Sequence, residues 1–305
     1  MHKLVAVIGP TATGKSSLAI KLAQEFGVEI VSADSRQVYR YMDIGTAKLS
    51  HDELSLVPHH LIDTINPDED FSLAQYRQQA YTTIEEIQEH DKMPLLVGGS
   101  GLYVWAVLEG WEIPEIPPDP ELRHRLEKRA AAGETDELYR ELMKIDPTAA
   151  QKIDRRNVRR LIRALEVSRN AGAPFSKLQG KEAPPFDILI IGLTTERTEL
   201  YRRVDARVDR MIENGLVEEV KKLVEMGYSL SLPSMSGIGY KQIGVFLNGE
   251  ITLEDAIQKI KTETHRLVRR QYNWFRLKDK RIHWFDIEQD IEPEIRELVD
   301  GFIRE

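Results

Sequence analysis

A phosphate-handling chemistry sits near the start of the chain. Gly9-Pro10-Thr11-Ala12-Thr13-Gly14-Lys15-Ser16 matches G-x-x-x-x-G-K-[ST], after a short apolar run and before a helical pattern, which is the setting that spacing needs. Successive backbone N–H groups and a helix N-terminus then form an anion cradle. Lys15 adds a mobile cation for phosphate oxygens, and the Ser16 hydroxyl is placed to ligate Mg²⁺. The loop specifies a di- or triphosphate but not the reaction that follows. Further segments rich in groups able to do chemistry are Ser32-Ala33-Asp34-Ser35-Arg36-Gln37-Val38-Tyr39, Met42-Asp43-Ile44-Gly45-Thr46-Ala47-Lys48, Gly98-Gly99-Ser100-Gly101-Leu102-Tyr103 and Ser236-Gly237-Ile238-Gly239-Tyr240-Lys241-Gln242.

Elements must hold these segments together. Leu4–Ile8, Val28–Ser32, Met93–Val97 and Asp187–Leu193 are short, unbroken, β-branched apolar runs, as in strands buried on both faces of a parallel sheet. Arg281–Phe285 reads as a fifth. Helical patterns fall at Ser17–Phe26, Leu73–Glu89, Leu200–Met226, Leu253–Lys278 and Glu292–Ile303. The alternation predicts an α/β, P-loop NTPase-like doubly wound parallel sheet, whose strand ends line a ligand crevice. Between Pro117-Pro118-Asp119-Pro120 and Pro184-Pro185 only helical patterns occur (Leu122–Ala132, Thr135–Ile145, Val158–Asn170), so 117–185 is expected to be an all-helical insertion in a core of 1–116 and 186–305. The insertion carries 15 Lys and Arg against 11 Asp and Glu, a net of +4, while the rest carries 27 against 39, a net of −12.

Bulk properties narrow the classes. The 305 residues are 41% hydrophobic and 30% charged, a soluble globular composition. No apolar run approaches the roughly 18–20 residues of a membrane span, and the start, Met1-His2-Lys3 before Leu4–Ile8, is too short for a signal peptide. Absence of cysteine excludes disulfides and thiolate metal sites and suits the cytoplasm. The net charge of −8 argues against nucleic acid only until its segregation is seen. The eight histidines show no metal spacing, and His59-His60 reads as a polar loop.

The loop, the Asp34-Ser35-x-Gln37-Val38-Tyr39-x-x-Met42-Asp43-Ile44-Gly45-Thr46-Ala47-Lys48 run and the Gly237-Ile238-Gly239-Tyr240-Lys241-Gln242 run together resemble the tRNA dimethylallyltransferase (isopentenyl-tRNA transferase) family in its bacterial form. The resemblance spans essentially the whole chain. It implies transfer of a dimethylallyl group from dimethylallyl diphosphate to N6 of the adenine just 3′ of the anticodon of tRNA (position 37), with release of diphosphate. It further implies that Asp34 is the base for N6, the alternatives being a helix cap or a Mg²⁺ ligand, and that an arginine pair, Arg197 and Arg203, contacts diphosphate beside Lys15. Ser35, Arg36, Gln37 and Ser100 then read the everted adenine and its neighbours. The family has threonine where this chain has Ser100, so the hydroxyl is kept and a methyl is lost. The implied partners are an anticodon stem-loop and the allylic diphosphate; no membrane is expected, a monomer is the default, and the loop also permits ATP.

Asp154-Arg155-Arg156-Asn157-Val158-Arg159-Arg160-Leu161-Ile162-Arg163-Ala164-Leu165-Glu166 holds five arginines in nine residues. Arg156, Arg159, Arg160 and Arg163 recur on one helix side, which suits RNA phosphates. A salt-bridged helix is the other reading, with Asp154 and Glu166 too few to neutralise the stripe. Arg123 is a weaker candidate of the same kind. In His265–Arg276 the apolar spacing (Leu267, Trp274, Phe275) reads as core, leaving a basic face for tRNA. Rival classes are a P-loop small-molecule or nucleoside kinase, a prenyltransferase acting on free adenine nucleotide, and a nucleotide switch. The kinase and free-nucleotide readings leave the basic insertion unexplained, and no Asn-Lys-x-Asp motif supports the switch.

Overall fold

The structure, a computed structural model, describes residues 2–114 and 116–305; Met1 and Glu115, both in the expected core segment 1–116, lie outside the described residues. The strands in chain order are β1 (His2–Ile8), β2 (Glu29–Ser32), β3 (His59–His60), β4 (Pro94–Gly98), β5 (Trp111–Glu112), β6 (Gly180–Lys181), β7 (Phe186–Thr194) and β8 (Ile282–Asp286). Six make one sheet in the order β3-β2-β4-β1-β7-β8, every pairing parallel. The apolar runs form its middle because they can be buried on both faces; β1 from Leu4 to Ile8 is fully enclosed. His59-His60 is an edge strand paired with Ile30 and Val31, not the loop its polarity suggested.

Helices α1 (Lys15–Phe26), α2 (His51–Ser55), α3 (Leu73–Glu89) and α4 (Gly101–Leu108) connect the first strands. After β7 come α9 (Arg197–Glu213), α10 (Leu216–Glu225), α11 (Tyr240–Leu247), α12 (Leu253–Trp274) and, after β8, α13 (Glu292–Arg304), with α5 to α8 lying between β5 and β6. The single helix expected at Leu200–Met226 is two, because Gly215 turns the chain at φ 96°, a left-handed conformation that glycine adopts without Cβ strain. Side chains such as Val5, Val7, Leu22, Leu95 and Ile191 pack one main core with α1 and α13.

Contacts divide the chain into two compact units, the stretch up to Leu108 with Pro184–Glu305, and Glu109–Ala183. The second unit begins eight residues before the expected Pro117, because β5 and β6 pair antiparallel (Trp111 with Lys181, Glu112 with Gly180). The prolines play another part. Asp119 caps α5 (Pro120–Ala131), accepting from the Leu122 N–H at 2.9 Å with Pro120 next, and Asp146 caps α7 (Pro147–Lys152) in the same way. Each such cap contributes about 1 kcal/mol. Helix α7 was hidden by that proline; α6 (Thr135–Ile145) and α8 (Val158–Ala171) complete the unit around Leu126, Leu138, Leu142, Leu161 and Leu165.

Candidate active site

The loop between β1 and α1 is shaped by its glycines and threonines. Gly9 has φ 143° and lies so near β7 that a Cβ would meet the Leu193 carbonyl oxygen at 2.4 Å. Ala12 is left-handed at φ 67°, a strain of about 1 kcal/mol tolerated mostly at functional turns. The buried Thr13 donates its hydroxyl proton to the Pro10 carbonyl at 2.9 Å, and Lys15 Nζ donates to the same oxygen at 2.7 Å. Gly14 starts α1 in the left-handed region.

The β2 and β4 loops are tied to each other. The Ser100 hydroxyl accepts from the Ser35 N–H at 3.0 Å and meets the Ser35 hydroxyl at 3.1 Å, while the Ser100 N–H donates to the Ala33 carbonyl. Asp34 Oδ1 accepts from the Arg36 N–H at 2.8 Å, which fixes the carboxylate as an Asx turn does. Among the described residues Oδ2 takes no hydrogen bond. Gln37 Nε2 donates to the Thr46 and Ala47 carbonyls at 3.3 Å. Arg36 donates to the Pro233 and Ser234 carbonyls at 3.3 Å, a scaffold contact.

These loops border an open cleft. Lys15, Ser16, Thr11, Asp34, Gln37 and Arg207 give it polar walls, and Ile30, Leu49, Ile62 and Val97 give it apolar ones. Burial, and then the Arg207 guanidinium, bring the Lys15 ammonium down to about 7. Burial likewise lowers Arg207, with Asp34 acting in the opposite sense. Two cations thus face one another beside Asp34 and, among the described residues, enter no ion pair, an arrangement that suits an anionic ligand.

A carboxylate no motif announced braces the Asp43–Gly45 loop. Glu219 on α10 accepts from the N–H groups of Asp43, Ile44 and Gly45 at 2.7–3.1 Å and from the Tyr240 hydroxyl at 2.6 Å. Burial and that neighbouring carboxylate push the Tyr240 phenol well above its ordinary range. Gly45 must be glycine here, since a Cβ would lie 2.5 Å from the Tyr240 ring. The Met42–Lys48 and Gly237–Gln242 runs thus act as one braced unit.

An IPP transferase family model matches residues 37–278. The chain belongs to the IPP transferase family. It is 50% identical over 300 residues to a tRNA dimethylallyltransferase of Dehalococcoides mccartyi, covering 98% of this chain and 92% of that relative. It is 49% identical over 303 residues to the tRNA dimethylallyltransferase of Thermomicrobium roseum, with 99% and 92% covered. Among solved structures, the tRNA isopentenylpyrophosphate transferase of Bacillus halodurans superposes with a TM-score of 0.73 at 42% identity, covering 99% of this chain and 96% of that one. A eukaryotic dimethylallyltransferase acting on tRNA gives 0.84 at 28% identity, with 100% and 80% covered.

In this IPP transferase family chain the expected arginine pair is not on the cleft wall. Glu199 holds Arg203 at 2.7 Å and also takes Arg202, and Arg197 is exposed at the start of α9. Arg207, one helical turn beyond Arg203, reaches the cleft and donates to the Thr11 hydroxyl at 3.1 Å. Only the packing of α9 against the loop singles it out. Gln271 of α12 also lines the cleft and was not foreseen. Of the residues expected to be core here, Phe275 is fully buried, whereas Trp274 is exposed.

Within the helical unit the arginine stripe is divided. Glu166, wholly buried, accepts from Arg123 at 2.9 Å, from Arg163 at 2.8 Å and from the Asp119 N–H at 2.8 Å. Burial alone would raise the Glu166 carboxyl; those three donors hold it below its ordinary value. Arg163 also donates to the Ile116 carbonyl, and Arg156 pairs with Asp154. Arg159 and Arg160 are exposed and, among the described residues, enter no ion pair.

Proposed function

We propose that the chain transfers a dimethylallyl group from dimethylallyl diphosphate to N6 of adenine 37, just 3′ of the anticodon, in tRNA. The observation that carries this is the cleft, where two cations that enter no ion pair among the described residues share one cavity with a held carboxylate and apolar walls. Its apolar side suits a five-carbon branched hydrocarbon, and its polar side a diphosphate. The naming of relatives half-identical over the whole chain as tRNA dimethylallyltransferases supports the choice of donor and acceptor.

In the step, the N6 lone pair forms a bond to the terminal allylic carbon as that carbon's bond to the diphosphate oxygen breaks. The electron pair leaves with diphosphate, and an N6 proton passes to Asp34 Oδ2. Because Oδ1 is held by the Arg36 N–H, the carboxylate is oriented before the adenine arrives; general-base help of this kind contributes about 10²–10⁴-fold. Lys15 and Arg207 stabilise charge that grows on the leaving group, which favours the transition state over the bound donor. An adenine stacked in an anticodon loop must turn out to reach the cleft, where Gln37 lines the wall.

Mg²⁺ fits the donor set. It keeps several waters and takes one or two protein oxygens with phosphate oxygens, and the Ser16 hydroxyl on the cleft wall is such an oxygen. Among the described residues no three His, Asp or Glu form a metal cage alone. Bound beside Ser16, the ion would neutralise leaving-group charge. The exposed Arg159 and Arg160 are the phosphate contacts of the helical unit, and the enzyme works as a monomer in the cytoplasm. Among the described residues, no helix is long and apolar enough to cross a membrane.

The test is incubation with labelled dimethylallyl diphosphate or labelled ATP, each with undermodified tRNA, free adenine nucleotide or neither. Label should enter tRNA from the allylic donor alone. Asp34→Ala should lower kcat by about 10²–10⁴-fold while the KM for tRNA stays within about threefold. Label entering free nucleotide instead, or a fully active alanine variant, overturns the reading.

A further inference from the structure

The donor loop follows β1, and the loop carrying Gly99 and Ser100 follows β4. Their strands are hydrogen-bonded only as far as the Ile8–Gly98 pair; past that point no backbone ladder joins them. Gln271 fills the gap. Its Oε1 accepts from the Thr11 N–H at 3.0 Å and its Nε2 donates to the Gly99 carbonyl at 3.0 Å. The side-chain amide thus supplies one acceptor and one donor, as an inserted peptide group would. The fit is close: a Cβ on Gly99 would lie 2.6 Å from Gln271 Nε2. Gln271 is itself buried, and it is anchored from below. Trp274, one turn on, covers Gly101, and its carbonyl accepts from the Trp105 indole N–H at 3.1 Å.

The linkage runs further than two loops. Thr11 neighbours the cations of the phosphate cradle through Arg207. On the other side, Ser100 holds Ser35, the residue after Asp34. We propose that Gln271 is a positioning residue that keeps the diphosphate loop in register with the carboxylate-bearing loop, so that the allylic carbon and the adenine amine meet in line. This rests on the transfer reaction proposed above. Gln271 acts through Thr11 and Gly99, and its effect is on alignment at the reacting atoms. Misplacement of about 1 Å costs about 10²-fold in rate even when both partners still bind.

Gln271→Met keeps the volume and removes both hydrogen bonds. Steady-state transfer to tRNA should show kcat lower by about 10²-fold, with the KM for donor and for tRNA each within about threefold of wild type. Gln271→Glu keeps the acceptor for Thr11, loses the donor to Gly99, and sets an anion beside the cradle. It should lower kcat and also raise the donor KM. Thermal melts accompany both, and should Gln271→Met not fold, the kcat of Gln271→Glu decides. The proposal falls if kcat stays within about threefold of wild type in the folded variants, or if the whole loss in Gln271→Met lies in KM. Wild-type protein that transfers no label to tRNA sinks the functional reading itself, a result distinct from either.

Discussion

The cleft and the helical unit treat basic side chains in opposite ways. In the cleft Lys15 and Arg207 face each other with no ion pair among the described residues, and each is pulled down by burial. In the helical unit a buried carboxylate collects two arginines and a backbone N–H, and Arg129, Arg140, Arg156 and Arg169 also have acidic partners. Folding disfavours a desolvated cation without a counter-charge. Where one persists in a cavity, a ligand supplies the missing charge; where it is matched within the unit, it holds the unit together. Density of arginine along the sequence is therefore a weaker sign of ligand contact than lack of a partner in the fold.

The sharpest break of this contrast is on α9. Arg207→Ala should lower kcat/KM for the allylic donor by about 10²–10³, the loss seen when one preorganised charge or donor is removed, with tRNA affinity unchanged. Arg203→Ala, which only frees Glu199 from one of two arginines, should stay within about threefold. Reversal of that ranking in donor kinetics would mean that the cleft cations are not the diphosphate site. Next in size is Glu166→Ala, which leaves Arg123, Arg163 and the Asp119 N–H without their acceptor. Chemical denaturation should show a loss of about 2 kcal/mol. Since Glu166 is held below its ordinary value, this contribution is present at neutral pH and lost on acidification through the depressed value. Unchanged stability of the variant would remove the structural reading of Arg123 and Arg163.

Lys15 gives a smaller, graded test. With its ammonium at about 7, the group is charged below that pH and largely neutral above it. Diphosphate binds the charged form, so donor binding above pH 7 must draw in a proton. The donor KM should therefore rise with pH above about 7, by up to about tenfold per unit, and titration calorimetry at pH 8 should register proton uptake. Arg207→Gln removes the like charge and should move the break to higher pH. A donor KM flat from pH 6.5 to 8.5 sinks this account.

How far the residues foretold the molecule differs by kind of signal. Leu4–Ile8 and Asp187–Leu193 were legible because a strand buried on both faces must be an unbroken apolar run. His59-His60 was not: two polar residues became a strand only because Ile30 and Val31 offered an edge. The cradle of Gly9–Ser16 and the carboxylate of Asp34 are local patterns, readable by spacing. Arg207 and Gln271 are not, since each is defined by where a distant helix brings it against Thr11. Glu166 was weighed with Asp154 against five arginines; its burial lets it serve one of them, Arg163, together with Arg123 and the Asp119 N–H at once. Glu219 had no sequence mark at all, because three of its partners are backbone N–H groups and the fourth, the Tyr240 hydroxyl, is brought to it only by the fold.

The smallest expected effect lies in the remaining stripe. Arg159 and Arg160 are exposed and, among the described residues, enter no ion pair, whereas Arg163 is engaged by Glu166 and the Ile116 carbonyl. If exposed arginines neutralise RNA phosphates, Arg159→Ala or Arg160→Ala should raise the tRNA KM by about threefold and lower the slope of log affinity against log salt by about one, with melting unchanged. Arg163→Ala should reverse that pattern: the salt slope stays as in wild type while the melt falls, because its charge is already matched within the unit. Salt-dependent tRNA binding by the three variants decides it. Equal slopes in all three would mean that partner status inside the helical unit says nothing about which arginines meet the RNA, and the contrast with the cleft would hold for that cavity alone.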